Sequence, residues 1–104
     1  MSDAVFAALA DPTRRAVVES LRGGRRSVQQ IADGLPVSRP AVSQHLKVLA
    51  DADLVRVEQE GTRRFYSLEP RGLAEARAWM DEVWDVALAR FAVLAENTDP
   101  SPRS

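Results

Sequence analysis

The chain has 104 residues, of which 45% are hydrophobic and 28% charged, and its formal net charge is −1. This length and composition predict a single domain with one modest core. Cysteine is absent, which excludes disulfides, thiolate metal ligands and cysteine redox sensing. No apolar run reaches the roughly 18 residues of a membrane span, and the N-terminus lacks the pattern of a signal peptide, so we expect a soluble cytoplasmic protein.

The charges are segregated along the sequence. Residues 13–72 carry eleven Lys or Arg against seven Asp or Glu, whereas both flanking segments are net acidic. A basic middle is typical of a surface that faces a polyanion such as DNA. Ordinary scatter over a solvated surface would give the same counts, so charge alone does not decide between the two.

The first half of the chain predicts short helices. Residues 3–10 form the first, with apolar anchors at Val5, Phe6 and Leu9. Asp11 followed by Pro12 predicts a capped start for the second helix, over residues 12–22, because proline is tolerated in a first turn. Gly23 and Gly24 would end it in a left-handed cap.

Two further helices follow after a short interval. Ser27 and Gln30 have the spacing of a capping box, which predicts a third helix over residues 28–34. Ser38 caps the fourth, "SRPAVSQHLKVL", with Pro40 in its first turn. The turn between these two helices is only about four residues long, which is the spacing of a helix-turn-helix motif.

The apolar period changes from helical to alternating after residue 53. Residues 54–59 predict a strand, residues 60–62 a tight turn and residues 63–68 the returning strand. A long last helix follows over about residues 72–96, and the polar, proline-bearing residues 97–104 predict a disordered tail. We therefore expect one domain, residues 1–96, of mainly α class with a β-hairpin wing: a winged helix-turn-helix with the order α-α-α-α-β-β-α.

The fourth helix has one buried stripe and one polar face. Val42, Leu46 and Leu49 recur at helical spacing and predict the stripe. The second helix of such a motif enters the DNA major groove with its N-terminal residues at the base edges. Arginine can form paired hydrogen bonds with guanine, and glutamine can do so with adenine. Alanine can contact the methyl group of thymine, and serine is small enough to approach a base or a phosphate closely. The predicted reading residues are Arg39, Ala41, Ser43 and Gln44, with Ser38 at the helix start and Lys47 placed for a phosphate. A merely solvated polar face is the alternative.

Three further side chains are candidates for DNA contact. His45, the only histidine, lies at the edge of the apolar stripe and could bond within the domain or contact the DNA backbone. Arg63 and Arg64 follow Gly61 near the hairpin tip, where they could reach phosphates or the minor groove. Arginines that merely keep an edge strand soluble would have the same positions.

The last helix is apolar over more than one face. Such a helix can pack one side on a small core, which leaves aromatic surface uncovered, and the first helix has the same excess. A symmetric homodimer is the simplest way to cover both surfaces. The predicted interface residues are Phe6, Leu9, Trp84, Leu88 and Phe91. A thick intramolecular core is the alternative.

Three stretches together resemble the ArsR-type bacterial winged-helix repressors: "FAALADPTRRAVVESL", "IADGLPVSRPAVSQHLKVLADADLV" and "GTRRFYSL". The resemblance covers about residues 4–95. It implies a homodimer joined by its first and last helices and bound to a palindromic operator. It places Ser38, Arg39, Ser43, Gln44 and His45 on the recognition helix, and Arg63 and Arg64 on the wing.

The sequence departs from the metal-sensing members of that family. Cysteine is absent and the last helix has no histidine, so we expect no metal site and no cofactor. Asp81, Glu82 and Asp85 are acidic at helical spacing, which a solvated face explains. A plain repressor, or one gated by an unknown effector, is therefore expected. The alternatives are a winged-helix module for protein contacts, or a metal-gated repressor; an enzyme has no motif in its favour.

Overall fold

A computed structural model describes residues 2–98 and contains, within them, the seven elements in the predicted order. They are α1 (Asp3–Ala10), α2 (Pro12–Ser20), α3 (Val28–Asp33), α4 (Arg39–Asp51), β1 (Val55–Glu60), β2 (Arg63–Leu68) and α5 (Pro70–Thr98). The predicted fold class, mainly α with a two-stranded antiparallel hairpin, is confirmed. None of the helices in this part of the chain is long and apolar enough to cross a membrane.

Helices α1 and α2 are joined by hydrogen bonds at their shared corner. The Asp11 carboxylate accepts from the backbone N–H of Arg14 at 2.9 Å, as the predicted cap requires. The side chains of Arg14 and Arg15 donate in return to the last carbonyls of α1, at Ala8 and Leu9, both at 2.7 Å. These bonds satisfy carbonyl groups that the end of α1 would leave without helical partners.

The predicted end of α2 is wrong by two residues. The helix ends at Ser20, and Leu21 caps it with φ −93°. Leu21 turns into the core, where it is 2% exposed, and the positive φ of 129° falls later, on Gly24. The backbone tightens to three-residue turns at this point: the N–H of Leu21 donates to the carbonyl oxygen of Val18, and the N–H of Arg22 to that of Glu19. The helix therefore ends before the glycines that were expected to end it.

Helices α3 and α4 begin as predicted. Ser27 and Gln30 form both bonds of the capping box, at 3.2 and 2.9 Å, and the Ser38 hydroxyl accepts from the N–H of Ala41 at 3.2 Å. The predicted stripe of α4 (Val42, Leu46 and Leu49) is fully buried. It forms the centre of a core completed by Val5, Ala8, Val17, Leu21, Ile31, Ala52, Leu54, Val55, Tyr66 and Ala76.

The hairpin is tied to the helical part through a third stretch of extended backbone. β1 and β2 pair antiparallel with Val57 opposite Tyr66, and Gly61 adopts φ 64° in the turn between them. Arg26 pairs with Tyr66 on the other edge of β2, through N–H···O bonds of 2.9 and 2.8 Å. The segment between α2 and α3 thereby holds the wing, a contact that the sequence pattern did not reveal.

Helix α5 projects beyond the rest of the fold. It has 29 residues and is therefore about 44 Å long. The Cα radius of gyration is 19.6 Å, against about 13 Å for a globule of this size. The helix begins two residues before the predicted start and includes residues 97 and 98 of the predicted tail; the remaining tail residues, 99–104, lie outside the described part.

One glycine determines how α5 joins the core. The N–H of Gly72 donates to the carbonyl oxygen of Asp53 at 3.0 Å. A methyl group added at Gly72 would overlap the carbonyl oxygens of Ala52 and Asp53. Both obstacles are backbone atoms, and Asp53 is already held in the left-handed region with φ 59°. The turn that follows α4 therefore has little freedom to move aside.

We expect Gly72→Ala to destabilise the fold. Forcing an extra carbon against backbone costs about 1–3 kcal/mol, which exceeds the roughly 1 kcal/mol that alanine contributes to helix formation. Urea unfolding would measure the change. Gly23→Ala is the control, because an added carbon there has no neighbour within 4 Å. A Gly72→Ala variant as stable as wild type would contradict the close packing of α5 on this turn.

Candidate nucleic-acid interface

The predicted reading residues occupy the exposed side of α4. Ser38, Arg39, Ser43, Gln44 and Lys47 are exposed, while Ala41 and His45 are half-buried. The apolar stripe turns the opposite side of the helix into the core. The N-terminal half of α4 therefore presents short polar groups and one guanidinium on an open surface, which is the chemistry that base-edge recognition requires.

Lys47 has an acidic neighbour on its own helix. Its ammonium lies 3.4 Å from the carboxylate of Asp51, and the two side chains are 78% and 71% exposed. An exposed pair at this helical spacing contributes only about 0.3–0.5 kcal/mol. The stronger field of a phosphate can therefore draw Lys47 away from Asp51 at little cost.

His45 lies beside the cap of α2. The pKa of Asp11 is lowered, chiefly because the backbone N–H of Arg14 donates to it; burial opposes this, and the charges of Arg14 and His45 add to the lowering. Within residues 2–98 the imidazole of His45 makes no hydrogen bond or ion pair, so its role stays a prediction.

The two predicted wing arginines point to opposite sides of the hairpin, because side chains alternate along a strand. Arg63 lies over the Phe65 ring, 4.9 Å from its centroid, and Arg25 lies 4.3 Å from the same centroid. Arg25 also bonds to Glu60 at 2.6 Å and to Glu58 at 3.2 Å. On this outer side of the wing, much of the positive charge is balanced by carboxylates.

Arg64 lies on the side of the hairpin that faces α4. Its side chain forms no ion pair or hydrogen bond within residues 2–98, and it borders the same cleft as Ser43 and Lys47. A second open cleft, next to the first, brings Arg64 together with Arg39 from the start of α4. The fold thus gathers cations that are 25 residues apart in the sequence onto one surface.

The sequence did not reveal several residues of this surface. Ser27, Gln29 and Thr62 line the cleft that holds Arg39, Arg63 and Arg64. Arg25 holds the outer face of the wing, and its pKa is raised because Glu60 accepts a hydrogen bond from it and Glu58 accepts a second. No local pattern signals this role of Arg25, because its contacts join residues 33 and 35 positions apart in the chain.

The residues predicted for the dimer interface are largely on the surface. Phe6, Trp84, Leu88 and Phe91 are 39%, 58%, 59% and 69% exposed. Leu9 differs, because it is half-buried against the core. Phe6 meets Trp79 of α5 edge to face, with ring centroids 5.7 Å apart. This contact joins the apolar surfaces of α1 and α5 into one continuous area.

The acidic residues of α5 are not gathered into a cluster with other possible metal ligands within the described chain. Asp81, Glu82 and Asp85 are exposed, and no three Asp, Glu or His side chains of residues 2–98 come together in a metal-holding arrangement. Zinc and related ions need several converging ligands, preferably imidazole or thiolate.

Known proteins resemble the chain over nearly its whole length. A family model described as a helix-turn-helix domain matches residues 9–58. The HTH-type transcriptional regulator Rv2034 of Mycobacterium tuberculosis is 53% identical, over 91% of this chain and 89% of its own. The transcriptional repressor SdpR of Bacillus subtilis is 36% identical, over 73% of this chain and 84% of its own. These relatives confirm a transcriptional regulator rather than an enzyme.

Solved structures give the same result. A homodimeric winged helix-turn-helix DNA-binding domain from Mycobacterium bovis, described as a possible ArsR-family regulator, superposes with a TM-score of 0.64 at 30% identity, covering 84% of this chain and 81% of that one. Other matching structures are of ArsR-family and ArsR-like regulators. The chain belongs to the ArsR-type family of winged helix-turn-helix transcriptional regulators.

Proposed function

We propose that the chain is a homodimeric repressor that binds a palindromic operator with α4 and the wing, and that dimerises through α1 and α5. The observation that carries this proposal is the projecting helix α5. Several of its apolar side chains are more than half exposed in the single chain, among them Trp84, Leu88 and Phe91. Apolar surface on this scale is typical of a protein interface.

A symmetric pair of chains explains why the operator would be palindromic. Two copies related by a twofold axis present two recognition helices, which read inverted half-sites about one helical turn of DNA apart. The homodimeric description of the related Mycobacterium bovis domain supports this assembly.

The roles of individual residues follow from their positions. We assign base reading to Arg39, Ala41, Ser43 and Gln44, close to the N-terminus of α4, where a recognition helix meets the bases. Lys47, farther along, and Arg64 of the wing would neutralise phosphates. Ser38 would approach the backbone at the helix start, and Arg63, on the side of the wing that carries Glu58 and Glu60, would contribute less charge to DNA than Arg64.

Repression is the direction of regulation that we favour. The related SdpR is described as a transcriptional repressor, and a small dimer that covers its operator can exclude other proteins from it without further contacts. Such a regulator would act in the cytoplasm, where the chromosome is. Its effector is unknown.

A winged-helix module that serves only protein contacts is the alternative. It would show no DNA binding that weakens with salt, whereas neutralising phosphates releases counterions and makes affinity strongly salt-dependent. Selection of bound sequences from a random DNA pool, repeated at two salt concentrations, separates the two functions and reveals the operator.

Dimerisation is tested on the chain in the absence of DNA. Light scattering at micromolar concentration should give twice the 11.4 kDa chain mass. Phe91→Glu should weaken the dimer and operator binding together, because both half-sites need a linked pair of recognition helices. Glu82→Lys, at an exposed position that is already charged, is the control. A stable monomer of wild-type chain would refute this part of the proposal.

Mutations of the base-reading residues and of the phosphate-contacting residues should change DNA binding in different ways. Gln44→Ala or Arg39→Ala should relax sequence preference by about 1–3 kcal/mol for each bidentate pair with a base that the mutation removes. Lys47→Ala and Arg64→Ala should weaken binding to all sequences alike and reduce the salt slope by about one unit each. Unchanged affinity and preference in Gln44→Ala would mean that α4 is oriented differently on DNA.

Metals should leave the operator complex unaffected. The chain offers one histidine and no thiol, and oxygen ligands alone give poor selectivity for scarce transition metals. Micromolar zinc, nickel, cobalt or arsenite, or a chelator, should not change the anisotropy of a labelled operator titrated with protein. A tenfold loss of affinity that disappears on mutating Asp81, Glu82 and Asp85 would overturn this expectation.

A further inference from the structure

A cleft of about 500 Å³ lies between the start of α3, the second half of α4 and the inner face of the hairpin. Its volume is within the range of about 300–1,000 Å³ that small-molecule sites occupy. Most of its lining is apolar or aromatic, from Val28, Leu46, Ala50, Val57 and Tyr66. A mostly apolar wall with a few polar groups is the composition of a ligand site.

The hairpin leaves apolar surface uncovered in this cleft. Val57 and Tyr66 are directly paired across the two strands, on the face toward the helices. Tyr66 is 8% exposed, but Val57 is 42% exposed. A phosphate group would gain nothing from this apolar surface, whereas a ligand with a hydrocarbon body would bury it.

The polar groups of the cleft have bonding capacity to spare. The Tyr66 hydroxyl makes no hydrogen bond within residues 2–98, and no side-chain N or O atom there is both buried and unpartnered. The hydroxyl is therefore in contact with solvent, and Tyr66 is one of the residues that line the cleft. Within the same residues Arg64 has no acidic partner, and Lys47 has only the weak partner Asp51. Two cations and a hydroxyl donor around an apolar surface favour an anion with an apolar body.

We propose that this cleft is an effector site for a small organic monocarboxylate, such as an aromatic acid. Arg64 and Lys47 would bind the carboxylate, Tyr66 would donate to it, and Val28 and Val57 would contact the apolar body. Arg64 and Lys47 are also residues that we assign to DNA. A bound acid therefore takes up the charges that would neutralise phosphates, so acid and operator exclude each other; this second half of the inference rests on the proposed function.

Binding is tested first on the protein without DNA, with 2-naphthoate as the probe and its neutral amide as the matched compound. Calorimetry should detect naphthoate binding with a Kd of about 1 mM or tighter, as expected for so small a ligand. The amide should bind at least about tenfold more weakly. Methyl NMR signals of Val57 and Ala50 should shift with the acid. Saturation without these shifts, or no saturation at all, would refute the site.

Two neighbouring arginines provide matched variants. Arg64→Gln should weaken naphthoate binding about tenfold or more, since it removes a charge-assisted hydrogen bond. Arg63→Gln makes the same change in charge on the other face of the strand, and should alter naphthoate binding less than about twofold. Val57→Thr, nearly equal in shape, should weaken it several-fold by placing a hydroxyl against the ligand. Equal losses of affinity in both arginine variants would mean a non-specific charge effect and overturn the proposal.

Competition is then measured by anisotropy with a labelled operator. Naphthoate should lower the apparent DNA affinity of wild type in proportion to occupancy of the cleft, and the amide should not. Unchanged DNA affinity at saturating acid would overturn the gating role. If the chain bound no DNA at all, the proposed function would fail while the binding experiments on the free protein still decided whether the site exists.

Discussion

The backbone pairing of Arg26 with Tyr66 is the contact on which the arrangement of the functional surface depends. Its two N–H···O bonds attach β2 to the segment that leads into α3. The ring of Tyr66 meanwhile enters the core, so the wing is held by hydrogen bonds at its edge and by packing on its inner face. The distance between Arg64 on the wing and Ser43 or Lys47 on α4 follows from this attachment.

The outer face of the wing is stabilised by charge around the same attachment. Arg25, the residue before the paired one, reaches Glu58 and Glu60 and covers the Phe65 ring. Without it, the carboxylates of Glu58 and Glu60 would lie on the same face of β1 with less compensation. One short segment, residues 25–27, thus pairs with the sheet, neutralises the wing and supplies the capping serine of α3.

Much of this fold could be predicted because its signals are local. Caps such as Asp11, Ser27 and Ser38 act within three residues, and the buried stripe of α4 repeats at helical spacing, so both are visible in a linear sequence. Tertiary contacts are not visible in this way. The pairing of Arg26 with Tyr66, for example, joins residues 40 apart.

The candidate site likewise has parts that could be predicted from local sequence patterns and parts that could not. Helical spacing identified which residues of α4 would be exposed, because the buried stripe leaves the opposite face to solvent. The sequence pattern did not distinguish the positions of Arg63 and Arg64, because the register of the hairpin decides which face each arginine occupies. The sequence pattern also did not reveal the cleft, because the walls of the cleft come from three elements that are separated in the sequence.

Exposure of apolar groups has two different meanings in this molecule. On α5, large side chains are exposed along a projecting helix, and an area of that extent is covered most simply by another chain of the same kind. In the cleft beside the wing, Val57 is exposed within a concave space that is bordered by Arg64, Lys47 and Tyr66. This space is too small for a protein. The first surface would bring two recognition helices together, whereas the second lies among the charges that each helix and wing present to DNA. A ligand in the cleft would therefore act on DNA binding directly, by occupying its cations, and would need no change of shape transmitted through the dimer.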